Sequence, residues 1–341
     1  MKFAVFGVGA MGGIIGGYLA RYGRDVTLID TWPMNIEKIK SQGLKISTPE
    51  EEFTVKVPAF HLGEIAAIKP QFDAVFLSVK SYDTPWATMF MKPTLAPKGF
   101  IISAQNGIND ETIAALVGWP RVIGLVITLG GAMEQAGHAT RTTPKTRHSM
   151  TVGELNGLIS CRAESIAKYL SVIGPSKVTN NLWGERWAKL ATNCSSNAVS
   201  GFTGLSSAGT RTNNKSRKLA ISIIWELIEV AEALGVSLEP IAGIPTDVWL
   251  RAQTGVTALN ELDSMLIESS KAFPQVQYPS LAQDVSKGRK TEVDLLNGYV
   301  VQKGQELGIA TPVNQQVVNI TNRVENNDLE PKLDNLDLIK L

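Results

Sequence analysis

Cysteine, histidine and uncompensated charge are all scarce in this chain, and each scarcity removes a class of function. The two cysteines, Cys161 and Cys194, are too few for a disulfide framework and lack metal-ligand spacing, so two buried free thiols are expected. The three histidines, His61, His138 and His148, pair with no cysteine or carboxylate at ligand spacing, so no metal site is expected. Lys and Arg (33) nearly cancel Asp and Glu (32) to leave a net charge of +1, which gives no field to attract nucleic acid or an anionic membrane. No apolar run reaches the ~18 residues of a membrane span. The nearest, 219–236, is broken by Glu226, Glu229 and Glu232 and reads as a buried helix. The opening MKFAVFGVG carries one basic residue and a short apolar run that stops at glycines, unlike a signal peptide, and a cytoplasmic location is expected by elimination. No G-x-S-x-G elbow occurs, and Ser195 and Ser196 have no evident histidine partner, which disfavours serine hydrolysis.

What is present is a globular composition: 341 residues, 44% hydrophobic and 19% charged. That length suits about two domains of ~100–200 residues. Over the first 150 residues, β-branched runs at 3–6, 25–29, 74–78, 100–104 and 122–128 alternate with helix-period stretches at 11–22, 35–41, 84–91 and 110–116. This is the pattern of βαβ units on a parallel sheet. The Thr- and Arg-rich HATRTTPKTRHSMTVGEL, 138–155, suits a twisted antiparallel pair extending that sheet. Beyond Cys161 the pattern is helical at 162–172, 183–199, 216–234, 256–268 and 293–307. The expected fold is α/β: an N-terminal Rossmann-type doubly wound parallel sheet and a second, mainly α-helical domain. Its expected bounds are 1–180 and 181–325, with a linker near 174–181 and a loosely attached tail over 326–341.

The first strand runs straight into Gly7-Val8-Gly9-Ala10-Met11-Gly12 and then a helix, which is the G-x-G-x-x-G fingerprint in the context it requires. Gly7 permits a tight turn, Gly9 lets backbone approach a pyrophosphate, and Gly12 lets the helix pack on the strand while its first N–H groups face the anion. Asp30 ends the next strand, 18 positions beyond Gly12. There a carboxylate can accept from ribose hydroxyls and would repel a 2′-phosphate, favouring NAD(H). The other reading of Asp30 is a cap for Thr31-Trp32-Pro33.

Further landmarks follow in order: Ser78-Val79-Lys80, Gln105-Asn106-Gly107, Lys189-Leu190-Ala191-Thr192-Asn193, Pro279-Ser280-Leu281-Ala282-Gln283-Asp284, Gly288-Arg289-Lys290-Thr291-Glu292-Val293-Asp294-Leu295-Leu296-Asn297-Gly298 and Gly308-Ile309-Ala310-Thr311-Pro312. Together with the glycine loop they resemble the ketopantoate reductase family over nearly the whole chain. The resemblance implies an NAD(P)H-dependent enzyme of pantothenate biosynthesis that reduces a small 2-keto acid. It implies Lys189 and Glu292 as catalytic, Ser280 as substrate-binding, Asn106 near the nicotinamide ribose and Lys80 beside the cofactor, with NADP(H) usual for the family. Arg289 is more simply a solvated charge.

The residues argue in parallel. Lys189, Asn193 and Asn197 are spaced i, i+4, i+8 on one predicted helix, each about 40° round from the last on a face about 12 Å long. A ketone becoming an alkoxide needs a proton donor, and a partly buried Lys189 suits that role, with Asn193 and Asn197 holding the substrate's polar groups. The bland reading of Lys189 is a solvated helix residue. Thr291 to Asp294 reads as a T-x-x-D capping box with Glu292 in the first helical turn, where it would otherwise merely complement the dipole. Ser280 after Pro279 would otherwise be an N-cap, Asn106-Gly107 a turn and Lys80 a surface residue. Trp183 and Trp187 are read as core or cleft wall beside the lysine. The expected arrangement closes the helical domain over the cofactor and brings Lys189 against the nicotinamide.

The chain departs from the family pattern at Asp30-Thr31-Trp32-Pro33, where many members carry an Arg suited to a 2′-phosphate, so both NAD(H) and NADP(H) stay open. Bulky Trp32, Trp86 and Trp249 leave the substrate open as well. Partners are expected to be a small keto acid and, as an open assembly question, a second copy in a homodimer. The rival readings are a non-catalytic NAD(P)-sensing module and another Rossmann dehydrogenase of opine or 6-phosphogluconate type.

Overall fold

Burial on both faces makes the N-terminal β-branched runs strands: every residue of β1 (Phe3–Phe6) and β2 (Val26–Asp30) is buried, as a parallel sheet covered by helices demands. The protein is described here by a computed structural model over residues 1–272 and 277–341. The other strands are β3 (Leu44–Ser47), β4 (Glu52–Val55), β5 (Ala59–His61), β6 (Phe72–Leu77), β7 (Leu95–Ser103), β8 (Val122–Ile127), β9 (Gly131–Gln135), β10 (His138–Arg141), β11 (Met150–Glu154) and β12 (Ser176–Thr179). Eight of them form one sheet in the order β12-β11-β8-β7-β6-β1-β2-β5. All neighbours in it are parallel except β11 with β8. The chain steps outward from β1 through β2 to β5, then returns to β6 on the other side of β1. That reversal is a topological switch point, outside whose carboxyl strand ends open α/β sheets bind ligands.

Helices α1 (Ala10–Arg21), α2 (Pro33–Gln42), α3 (Leu62–Ile68), α4 (Thr84–Met91), α5 (Asp110–Val117) and α6 (Cys161–Leu170) belong to this first unit, Met1–Leu182. Its core joins Phe3, Val5, Ile14, Leu28, Phe76 and Ile102.

Three sequence expectations need correction in this unit. The stretch 138–155 is not one antiparallel pair: β10 joins a separate sheet of order β4-β3-β10-β9, while β11 pairs with β8 and β12 in the main sheet. Pro144 and its polar neighbours separate two strands that serve different sheets. The expected linker 174–181 contains β12, whose register on β11 extends the sheet. Of the two thiols only Cys194 is buried; Cys161 is exposed at the start of α6.

The second unit, Trp183–Leu341, is helical in its described residues. It holds α8 (Ala198–Thr203), α9 (Gly209–Thr212), α10 (Asn214–Ala233), α11 (Thr246–Arg251), α12 (Val256–Ser269), α13 (Ser280–Ser286), α14 (Asn297–Leu307) and α15 (Pro312–Glu325), and α7 (Leu182–Thr192) leads into it. Asn213 caps α10 by accepting the Ser216 N–H at 3.0 Å, and Ile223, Ile224, Leu227 and Ile228 bury its inner face. The tail is docked rather than loosely attached. Asn335 donates to the Phe202 and Glu330 carbonyls, both at 2.8 Å, and Leu336 is buried beside it. The polar run Asn326-Asn327-Asp328 ends α15, but the apolar residues beyond it find a surface. Among the described residues no helix is long and apolar enough to cross a membrane.

Candidate active site

The glycine loop leaves β1 with Gly7 at φ +93°, a left-handed backbone that glycine adopts without strain. A Cβ there would meet Val79 N at 2.7 Å, and one on Gly12 would meet Gly7 O at 1.9 Å. Both glycines are therefore set by close packing of the loop against the end of β6 and the start of α1. At Gly9 an added Cβ meets nothing within 4 Å, so its backbone borders open space. Gly9 is the N-cap of α1, no side chain caps that end, and no acidic residue lies in the first turn. The first N–H groups, over Ala10, Met11 and Gly12, are thus presented for an anion such as pyrophosphate. Val8, between the glycines, is buried.

Asp30 is only 9% exposed and serves the loop directly. Its Oδ2 accepts the Val8 N–H at 2.7 Å and its Oδ1 accepts the Trp32 N–H at 3.0 Å. The capping interpretation is thus partly realised, through Trp32, and the carboxylate also ties β2 to the phosphate loop. Asn35 completes the tie, donating to Val8 O at 2.9 Å and accepting from Gly137 N at 2.7 Å.

Lys80 and Asn106 follow the carboxyl ends of the neighbouring strands β6 and β7. Lys80 is half-buried, and its segment is laced down by Gln105 Nε2, which donates to Val79 O at 3.0 Å and to Thr84 Oγ1 at 2.8 Å. Asn106 stands in the turn its Asn-Gly pair predicts, with Gly107 at φ +75°. Its carbonyl accepts from Ser81 Oγ at 3.0 Å and Asn109 Nδ2 at 2.7 Å. Ser78, which sequence reasoning left without a role, donates to Gly7 O at 2.7 Å and pins the loop to β6.

In the second unit Lys189 sits half-buried in the last turn of α7. Trp187 is core, 2% exposed and tilted against Tyr299 at 5.8 Å between ring centroids. The expected single helix over 183–199 is interrupted by a π turn, Asn193–Asn197. The even 3.6-residue spacing assumed for the Lys-Asn-Asn stripe therefore fails at its second half, because the π turn is wider. The turn brings the two amides together: Asn197 Nδ2 donates to Asn193 Oδ1 at 3.2 Å. Asn193 is 1% exposed, yet its Nδ2 has no partner. Helix α13 packs against α8 and this turn, and the buried Oγ of Ser280, its first residue, is also without a partner. Ser280 is thus not an N-cap; Pro279 holds that position.

Glu292 is 3% exposed, but the capping box drawn around it is not formed. Val293–Leu295 is a 3-10 turn with Glu292 at its N-cap, and α14 begins only at Asn297. Asp294 instead accepts from Asn322 at 3.0 Å, and Thr291 Oγ1 from Val293 N at 3.4 Å. Dipole complementation in the first turn of α14 is therefore no account of Glu292. Trp249 is fully buried in a wall behind the π turn, lining with Thr192, Ser195, Ser196 and Arg211 a cavity of about 30 Å³. That volume suits about one water, not a keto acid, so Trp249 carries no substrate argument. Trp86 is partly exposed and edge-on to Phe6. Among the described residues no group of three or more His, Cys, Asp or Glu side chains could hold a metal ion.

Comparison with known proteins agrees with this layout. Residues 3–157 match the family described as Ketopantoate reductase PanE/ApbA, and residues 181–325 match Ketopantoate reductase PanE/ApbA C terminal. The 2-dehydropantoate 2-reductase of Aquifex aeolicus is 28% identical over 329 residues, covering 95% of this chain and 97% of that protein. That of Archaeoglobus fulgidus is 27% identical over 325 residues, covering 95% and 98%. A PanE/ApbA family ketopantoate reductase from Ralstonia eutropha has a TM-score of 0.79 at 28% identity, covering 96% of this chain and 99% of that one. A D-mandelate dehydrogenase, solved in a ternary structure with NADH and anilino(oxo)acetate, shares the fold at a TM-score of 0.82 and 22% identity, over 97% and 100%. With its glycine loop at a switch point and both parts of the family pattern matched, the chain belongs to the ketopantoate reductase family, as an NAD(P)-dependent oxidoreductase acting on a CH–OH group.

Proposed function

We propose that this chain reduces the keto group of 2-dehydropantoate or a closely similar 2-keto acid. The observation that carries the reading is the orphan donor of Asn193: a buried amide nitrogen with no protein partner, on a residue only 1% exposed and about one turn beyond Lys189, is costly unless a ligand accepts from it. The buried, partnerless Oγ of Ser280 on the adjoining helix supports it.

The first-turn amides of α1, with Gly7, Val8, Gly9, Ala10, Met11 and Gly12, fit a dinucleotide pyrophosphate, and the open space at Gly9 leaves room for it. In this reading Asp30 takes the adenine ribose, and Lys80 and Asn106 take the nicotinamide half. The negative charge of Asp30 beside the loop favours NAD(H) over NADP(H). A bound reduced nicotinamide supplies the hydride that the keto carbon takes up. Lys189 gives its ammonium proton to the keto oxygen as the C=O bond becomes CH–OH, and water returns that proton to the amine. Asn193, Asn197 and Ser280 orient the carboxylate and keto oxygen with neutral groups, and Glu292 supports the lysine or accepts from the substrate hydroxyl. Assembly as a homodimer is part of the proposal, and light scattering tests it against the 36.8 kDa chain mass.

The test is a fluorescence titration with NADH and NADPH, followed by a panel of 2-keto acids at the nicotinamide absorbance. Turnover of 2-dehydropantoate or a near analogue is expected. Tight cofactor binding with no turnover of any 2-keto acid would sink the reading.

A further inference from the structure

A π turn within a helix shifts a residue out of the regular i→i+4 ladder, and a buried carbonyl displaced from that ladder needs a donor from elsewhere. At Asn193–Asn197 a donor comes from another helix: Asn297 Nδ2, on α14, lies 3.3 Å from Cys194 O. The same nitrogen donates to Asn314 Oδ1 at 3.0 Å. Asn314 Nδ2 in turn donates to Glu226 Oε2 at 2.8 Å and to Ile223 O at 3.2 Å. The Glu226 carboxylate also takes the first N–H groups of α15, from Val313 at 2.8 Å and Asn314 at 2.9 Å. A carboxylate on α10 thus orients an amide on α15, which orients an amide on α14, which holds the backbone of the turn. Asn297 and Asn314 are both fully buried.

Packing alone does not account for Asn297. Its Oδ1 is buried without a partner, a penalty that an apolar side chain of similar size would avoid. What asparagine adds is the donor toward Cys194 O, and Cys194 adjoins Asn193 in the chain. We propose that Asn297, backed by Asn314 and Glu226, is a positioning residue that locks the π turn and thereby aims the Asn193–Asn197 amide pair at the substrate. This rests on the reading in which those two amides hold the keto acid. Asn297 acts only through the turn's backbone.

Hydrogen exchange and steady-state kinetics on the full chain test it together. In Asn297→Ser, whose hydroxyl is too short to reach Cys194 O, amides of 194–198 should exchange at least tenfold faster, while peptides from the first unit keep their rates. KM for the keto acid should rise about tenfold with a smaller change in kcat, because the amides bind ground and transition states alike. The dissociation constant for the nicotinamide cofactor should not move. Glu226→Gln, half-exposed and size-conserving, should shift exchange and KM in the same direction by about threefold, and it carries the measurement if Asn297→Ser does not fold. Wild-type exchange at 194–198 in the folded variants overturns the relay, as does a KM rise matched by an equal loss of cofactor affinity. If the wild-type chain turns over no 2-keto acid, the substrate reading falls and the exchange rates still decide whether the relay locks the turn.

Discussion

The Asp30 carboxylate accepts the backbone N–H of Val8 at 2.7 Å, so the end of one strand holds the middle of the phosphate-binding loop. One residue therefore has two separable effects, support of the loop and selection of the cofactor. Replacing Asp30 by Ala strands the Val8 and Trp32 N–H groups and should cost about 1–3 kcal/mol of stability in denaturant unfolding. Asp30→Asn keeps an acceptor oxygen but removes the charge. The NADPH-to-NADH affinity ratio should then rise about tenfold, or ~1.4 kcal/mol. A ratio that stays put would confine Asp30 to holding the loop.

Lys189 is the proposed proton donor, and its loss should strike the chemical step. In Lys189→Ala, kcat/KM for the keto acid should fall by about 10²–10⁴ with cofactor affinity unchanged in fluorescence titration. Wild-type turnover in this variant ends the assignment.

Ser280 and Asn193 should act on binding more than on chemistry. Ser280→Ala removes a buried hydroxyl that makes no protein hydrogen bond, so thermal stability should hold or rise slightly. If a substrate oxygen is its partner, KM should increase about 5–10-fold, or ~1 kcal/mol. Unchanged KM together with raised stability would make the orphan hydroxyl a mere packing defect.

A pH-dependent contribution to stability lies at the end of β11. Burial raises the pKa of Glu154, but hydrogen bonds from Arg162 and Ser160 and the Arg162 charge outweigh it, holding the carboxyl below its usual 4.5. Arg162 Nη2 lies 2.6 Å from Glu154 Oε2, and Glu154 is 7% exposed against 31% for Arg162. A carboxyl with a depressed folded-state pKa stabilises above its unfolded value and loses that contribution as pH falls through the folded one. Arg162→Ala should therefore cost about 1–3 kcal/mol at pH 7, allowing for the partly exposed guanidinium. Urea midpoints of variant and wild type should converge as pH falls from the usual carboxyl value through the depressed one. A gap independent of pH would mean that Arg162 acts through its stack on Phe100 and not through the ion pair.

Local chemistry made the first unit legible. A β-branched run buried on both faces, a turn that only glycine fits and an acidic residue at the following strand's end each declare themselves within a few residues, and β1, the loop and α1 stand where those signals put them. Helical periodicity likewise found α10 and α14 to within a few residues and the start of α7, though not its end at Thr192. It misread the Lys-Asn-Asn stripe and the segment around Glu292, because periodicity assumes an uninterrupted α-helix and cannot see a π turn or a 3-10 turn. Ser280 and Asn106 were visible as residues, but not that the Ser280 hydroxyl is left without a partner or that the Asn106 carbonyl accepts from Ser81 and Asn109.

The sequence alone determined the parallel strands around β1, the glycine loop that follows it and the family resemblance, the first two because they depend on neighbours in the chain and the third because its landmarks keep one order along it. Tertiary structure alone decided which polar groups are left without partners, that β10 and β11 part company, that the tail docks on Phe202, and that Asn297 reaches Cys194. That last pair is separated by 103 residues, and a contact at that distance depends on how helices pack rather than on any local pattern.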